Sequence, residues 1–216
     1  CRPAVGIEAG DAELSLLSYL DCVEGAFRSY ARRVADVDFV DTFGYLAFHT
    51  PFAGLVRSVH RKLMLQFKGA LPDEAEADFE QRLLPSLGFC MQVGNAYSAT
   101  VFMALCGLLQ EADTRTPQRV GFFSYGSGCA SEFYSGVLRP GSGALFRKLG
   151  FQQALDQRYD LSLHEYERLL ALNESWGFGV RDRKVDLEDF GAIYASQLNG
   201  KGLLVLDGVE GYERRY

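Results

Sequence analysis

Three short stretches carry the residue types that could do chemistry. His49 closes the apolar run Phe43-Gly44-Tyr45-Leu46-Ala47-Phe48 and is followed by Thr50 and Pro51. An imidazole there could donate from Nε2 to a developing oxyanion. Asn95, within Gly94-Asn95-Ala96-Tyr97-Ser98, precedes an apolar helical pattern and offers a second, neutral donor. Gly126 and Gly128 flank Ser127 at the end of Val120-Gly121-Phe122-Phe123-Ser124-Tyr125, where the missing side chains let backbone N–H groups approach a carbonyl. Each has an ordinary alternative: a turn histidine, a helix cap and a glycine turn. What sets them apart is their joint occurrence in this order, each behind a strand-like or helical run.

The elements that must position them follow from hydrophobic spacing. Residues 12–35 place Leu16, Leu17, Leu20, Val23, Phe27 and Tyr30 at helical intervals, with basic residues at the C-terminal end. Phe43 to Phe48 reads as a strand, and a helix follows from Ala53 to Phe67. The charged segment Pro72 to Arg82 reads as an exposed helix or flap. Tyr97 to Leu109 is helical and apolar nearly all round, which predicts a central buried helix. Thr114 to Arg119 is expected to be a loop, Val120 to Tyr125 a buried strand, and Phe146 to Leu155 a helix. Ser162 with Glu165 has the spacing of a capping box at the head of a helix over residues 162–174. Gly202 to Leu206 reads as a last strand. Strands alternating with helices imply an α/β architecture, and one domain is the economical reading. In such sheets, functional residues gather where loops converge at the carboxyl ends of strands. His49, Asn95 and Ser127 are therefore expected to converge on one pocket.

Composition narrows the classes. The 216 residues carry 22 Lys and Arg against 28 Asp and Glu, a net charge of −6, without a basic block that could track a phosphate backbone. Nucleic acid is therefore not an expected partner. No apolar run reaches the roughly 18 residues that a membrane span needs. The five cysteines, Cys1, Cys22, Cys90, Cys106 and Cys129, form no CxxC pair and no zinc-ligand spacing, so no metal is expected. Small apolar residues in a reduced, cytoplasmic core explain them. The sequence opens at Cys1-Arg2-Pro3 without a methionine, so the protein's N-terminus is expected to lie elsewhere.

Taken together, FHTPF (48–52), QVGNAYSAT (92–100) and GFFSYGSG (121–128) resemble the signatures of the 3-hydroxy-3-methylglutaryl (HMG) synthase family within the thiolase superfamily. The ending Tyr212-Glu213-Arg214-Arg215-Tyr216 is similar to the family's C-terminus, so the resemblance covers nearly the whole chain. The stretches CRPxxxIExGDAxLSLLSYLDC and FHTPFxGLVRSVHRKLM look most like the subgroup that introduces β-branches into polyketides. The resemblance implies the C-terminal half of a five-layer αβαβα fold. It implies an acyltransferase that condenses an acetyl thioester with a β-ketoacyl thioester held on an acyl carrier protein.

In the family, a cysteine accepts the acetyl group, a glutamate removes a methyl proton, and the enolate attacks a ketone polarised by histidine. His49 matches that histidine. Asn95, Ser127, Gly126, Gly128, Pro51 and Tyr97 match substrate-binding positions. Neutral His49 and Asn95 would then stabilise oxyanion charge without competing for the proton. The family's cysteine and glutamate lie in an N-terminal half that this chain does not include, so alone it is expected to be catalytically incomplete. The CoA enzymes tend to carry a lysine just after FHxPF/Y; here Ala53-Gly54 stand there, which favours carrier-bound over CoA substrates. No cofactor is implied beyond acyl-phosphopantetheine or acyl-CoA as substrate, and the family suggests a cytoplasmic homodimer. The alternatives are a CoA-dependent HMG synthase of primary metabolism, a ketoacyl-synthase-like enzyme, or a non-catalytic scaffold half. Arg57 and Arg61, with His60 and Lys62 alongside, form either a carrier-protein docking face or an ordinary solvated helix face.

Overall fold

The computed structural model describes residues 11–126, 128–176, 179–186 and 188–216. It divides into two compact units, one of residues 11–151 and one whose described part begins at Gln152, a finer partition than the single domain expected.

The first unit opens with α1 (Ala12–Ala31), capped by Asp11, whose Oδ1 accepts from the Leu14 N–H at 2.9 Å. The helix ends short of residue 35. β1 (Tyr45–Phe48) runs parallel to β2 (Gln118–Gly126), and β2 pairs antiparallel with β3 (Ala130–Leu138) in one mixed three-stranded sheet. The alternation of strand side chains then separates two cores. Leu46, Phe48, Phe123 and Phe133 join Tyr19, Val23 and Phe27 of α1 on one side. Ala47, Val120, Phe122 and Leu138 join Val101, Ala104 and Leu108 on the other. Rings on the first side meet edge to face, Phe27 with Phe133 at 5.2 Å and Tyr19 with Phe123 at 5.3 Å. Such pairs add roughly 0.5–1.5 kcal/mol each beyond the area they bury.

α2 (Ala53–Lys68) turns Leu55, Val56, Val59, His60, Leu63 and Met64 inward and stops at Gly69, φ +68°, whose N–H bonds the Leu65 carbonyl. α3 (Pro72–Asp78) runs into a π-helical turn, Phe79–Leu83. The segment is the helix alternative of the expectation rather than a flap, and it is exposed on one side only, because Ala75, Phe79 and Arg82 are buried. Charge misled the reading, since Arg82 donates inward to Asp78 and to the carbonyl of Phe39. α4 (Gly88–Val93) and a 3-10 turn, Tyr97–Ala99, lead to α5 (Thr100–Glu111). α5 buries Val101, Ala104, Gly107 and Leu108, but Phe102 is 62% exposed, so in this chain the helix is not enclosed all round. Its close approach needs Gly107, where a Cβ would stand 2.6 Å from the Ser86 carbonyl oxygen.

β2 begins within the expected loop, and β3 was not foreseen, because Ala130-Ser131-Glu132-Phe133 lacks clean alternation. The helix expected over 146–155 is two, α6 (Ser142–Arg147) and α7 (Phe151–Asp156), divided at Gly150 with φ +66°. In the second unit α8 (Leu163–Ser175) has the expected capping box: Glu165 N–H donates to Ser162 Oγ, and Ser162 N–H to Glu165 Oε2. The strand expected at Gly202 to Leu206 is absent, and Leu204 is 86% exposed. Pairing falls later, with β4 (Arg183–Lys184), β5 (Gly208–Glu210) and β6 (Glu213–Arg215) forming an antiparallel sheet. Gly211 and Tyr212, at φ +56° and +71°, make the two-residue hairpin turn, so turn geometry rather than apolarity sets the strand position.

Candidate functional site

His49 stands at the carboxyl end of β1, where its N–H continues the sheet ladder to the Phe123 carbonyl at 2.7 Å. The wholly buried Tyr19 donates its hydroxyl to the His49 carbonyl at 2.6 Å, so both sides of this backbone are held. The imidazole is 6% exposed, its ring 6.0 Å from that of Tyr125. Burial lowers its pKa, an effect partly offset by a ring N–H bonded to the backbone carbonyl of Tyr97. Lowering favours the neutral ring, which carries a single N–H. The lowered pKa keeps the ring neutral, with one N–H, as a neutral donor requires.

Tyr97 has φ +53°, a left-handed conformation rare for an aromatic residue. Its carbonyl receives His49, and its N–H donates to Asn95 Oδ1 at 2.9 Å. One residue's backbone thus joins the two sequence-predicted donors, while its side chain is 67% exposed. Asn95 Oδ1 also accepts from Thr100 Oγ1 at 3.2 Å, and Thr100 Oγ1 accepts the Ala96 N–H at 3.0 Å. With its oxygen engaged twice, Asn95 has its NH2 left to give.

Beneath these loops lies Cys90 of α4, whose thiol lies 3.7 Å from the Thr100 carbonyl and 4.0 Å from the Ser86 carbonyl. Burial pushes this thiol up, away from thiolate reactivity. It ties α4 to the first residue of α5. Thr100 and Cys90 were not singled out from sequence; only the position of Thr100, five residues after Asn95 at the helix start, hinted at a local bond.

Pro51 is half-buried at the entry to α2. Ser127 lies outside the described residues. Gly126 ends β2 beside Tyr125, and a Cβ there would meet only the Ala130 carbonyl at 3.6 Å, while at Gly128 it would meet nothing within 4 Å. No internal packing demands a glycine at either position, although Gly126 is paired with Ala130 in the β2–β3 ladder.

The basic helix face resolves into three kinds of residue. Arg57 is committed, its fork gripping Glu76 at 2.6 and 3.0 Å. His60, expected on that face, is fully buried, with Nε2 2.7 Å from Asp78 Oδ1. Arg61 and Lys62 are exposed and border a shallow depression with Leu65 and Pro72. Among the described residues no group of His, Cys, Asp and Glu could hold a metal. No described helix is long and apolar enough to cross a membrane.

A helix-covered mixed sheet with histidine, asparagine and glycine loops at strand ends is the arrangement of the thiolase-like condensing enzymes. The family model for the C-terminal region of hydroxymethylglutaryl-coenzyme A synthase matches residues 66–181, just over half of the chain, which belongs to that family. The chain is 43% identical to the polyketide biosynthesis 3-hydroxy-3-methylglutaryl-ACP synthase PksG of Bacillus subtilis, over 100% of this chain and 51% of that protein. It is 32% identical to the hydroxymethylglutaryl-CoA synthase of Enterococcus faecalis, over 74% of this chain and 41% of that protein. Among solved structures, the HMG synthase of the curacin biosynthetic pathway, in complex with holo donor-ACP, superposes with a TM-score of 0.96. It is 48% identical and the match covers 100% of this chain and 52% of that one. The chain spans about half the length of the relatives it matches.

Proposed function

We propose that this chain supplies the ketone-binding side of a 3-hydroxy-3-methylglutaryl-ACP synthase of polyketide β-branching. The nucleophilic cysteine and the base glutamate would stand on a preceding half. The observation that carries this reading is the link from the His49 ring through the Tyr97 backbone to Asn95, which sets two polar groups at one place. The acetyl group passes to the cysteine, displacing the carrier thiol. The glutamate takes a methyl proton, and the enolate carbon bonds the ketone carbon as the ketone oxygen becomes an alkoxide. Asn95 NH2 and the neutral His49 ring donate to that oxygen, the alkoxide takes back the proton held by the glutamate, and water hydrolyses the cysteine thioester to free product and enzyme. One such donor is worth about 3 kcal/mol where water is excluded.

Carrier-bound substrate is favoured by the likeness to PksG, to the curacin synthase bound to donor-ACP, and by Ala53-Gly54 after the FHTPF motif. The exposed Arg61 and Lys62, rather than the engaged Arg57, are the better match for an acidic carrier surface. The family likeness extends the proposal to a homodimer working in the cytoplasm. The test separates the half-reactions in the complete enzyme, using acetyl- and β-ketoacyl-carrier protein and the matching CoA thioesters. Asn95→Ala should cut condensation about 100-fold while sparing acetyl transfer to cysteine. Undiminished condensation would remove Asn95 from the site, and equal use of CoA thioesters would favour the primary-metabolic reading.

A further inference from the structure

Thr100 is wholly buried, heads α5, and makes no contact that packing alone requires of a hydroxyl. Its oxygen accepts the Ala96 N–H at 3.0 Å, so its own proton is free to donate, and it lies 3.2 Å from Asn95 Oδ1. The second neighbour of that amide oxygen, the Tyr97 N–H at 2.9 Å, can only donate. Two donors therefore converge on one edge of the Asn95 amide. Turning the amide over would set its NH2 against the Tyr97 N–H, so that N–H fixes which edge faces inward, and the threonine hydroxyl holds the amide there.

Resting on the function proposed above, we infer that Thr100 is a positioning residue: it holds in place the Asn95 amide that the Tyr97 N–H orients, so that the NH2 edge meets the substrate oxygen. It acts through Asn95 and touches no reacting atom. The lock is local. The Thr100 carbonyl keeps its contact with the Cys90 thiol at 3.7 Å when the hydroxyl is removed, but the Ala96 N–H loses its acceptor, so rescue by serine is part of the test. The γ-methyl keeps its place in a Thr100→Val variant of the same shape. One of the two holds on Oδ1 survives there, since Tyr97 still donates.

The experiment uses the complete enzyme with acetyl- and β-ketoacyl-carrier protein. Thr100→Val should lower kcat for condensation about tenfold, the equivalent of one ordinary hydrogen bond. KM for the β-ketoacyl carrier and the rate of acetyl transfer to cysteine should stay within about twofold, because the change falls on alignment at the ketone alone. Thr100→Ser, which restores the hydroxyl, should recover condensation. A second variant does not depend on tolerance at Thr100. Asn95→Asp keeps an acceptor for Tyr97 and Thr100 but has no NH2, and should lose condensation as fully as Asn95→Ala. If Thr100→Val condenses at the wild-type rate, loses both half-reactions equally, or is not rescued by serine, the positioning role is overturned. So it is if Asn95→Asp remains active. If Asn95→Ala itself condenses normally, the proposed function fails first, whatever Thr100 does.

Discussion

His49 and His60 lie in one continuous motif, FHTPFAGLVRSVH, yet the molecule uses them in opposite ways. His60 is sealed under α2, where it and Arg82 share the carboxylate of Asp78, and Arg82 also bonds the carbonyls of Phe39 and Phe43. The Asp78 carboxylate meets both His60 Nε2 and the Arg82 guanidinium inside the protein, although His60 Nδ1 has no hydrogen-bond partner among the described residues. His49 is nearly as buried, but its ring faces the backbone of Tyr97, a residue in a left-handed conformation, rather than a carboxylate. Burial alone does not distinguish a structural from a functional histidine. What distinguishes them is whether every neighbour's charge is answered inside the protein. Around Asp78 it is; His49 has no ion-pair partner among the described residues.

Breaking the closed cluster should cost the most. Asp78→Ala leaves the Arg82 guanidinium buried without its anion, and should lower unfolding free energy by roughly 3–5 kcal/mol in urea titration. A loss below about 1 kcal/mol would show that the cluster is not structural. His60→Ala should also unfold more readily. His49→Ala should do the reverse, costing no more than about 1 kcal/mol of stability while slowing condensation about 100-fold in the complete enzyme. Comparable stability losses for the two alanine variants would erase the contrast drawn here.

A pH series sharpens the same comparison. The folded His49 pKa is depressed below its ordinary 6.5, by burial, so its contribution is whole above about 6.5 and shrinks as pH falls below it. For Asp78, burial pushes the carboxyl up, but His60 and Arg82 outweigh it and hold the pKa below 3.8. Its contribution is therefore whole above that value and lost only as pH drops beneath it. Melting temperatures should show His49→Gln flattening the step that begins near neutrality, and Asp78→Asn flattening the acidic one. A profile of His49→Gln superimposable on wild type would contradict the depressed pKa. The smallest effect belongs to the surface. Arg57→Glu breaks an exposed pair with Glu76 and should shift the melting temperature only slightly. Arg61→Glu with Lys62→Glu should leave melting unchanged and slow carrier association at low salt, an effect that salt erases. Identical association rates for variant and wild type at low salt would take these two residues out of the docking face.

Much of this was legible in the residues themselves. The heptad-like spacing of Leu20, Val23 and Phe27 marked α1, the alternation of Val120 to Tyr125 marked β2, and Ser162 with Glu165 marked the cap of α8 to the residue. His49, Asn95 and the glycine loop stood out because local sequence dictates strand ends, caps and turns, and those are where polar groups can leave the core. Local signals failed where distant partners decide. Pro72 to Arg82 looks solvated until Arg82 finds Asp78 and the Phe39 carbonyl; Leu203 and Leu204 look like a strand until the Gly211-Tyr212 turn sets the pairing further on. The division between His49 and His60 is likewise invisible in sequence, since both follow apolar residues near helix α2. Tertiary structure alone brought the Tyr97 carbonyl to one imidazole and the Asp78 carboxylate to the other, because a hydrogen bond between residues far apart in the chain depends on the packing that carries them together.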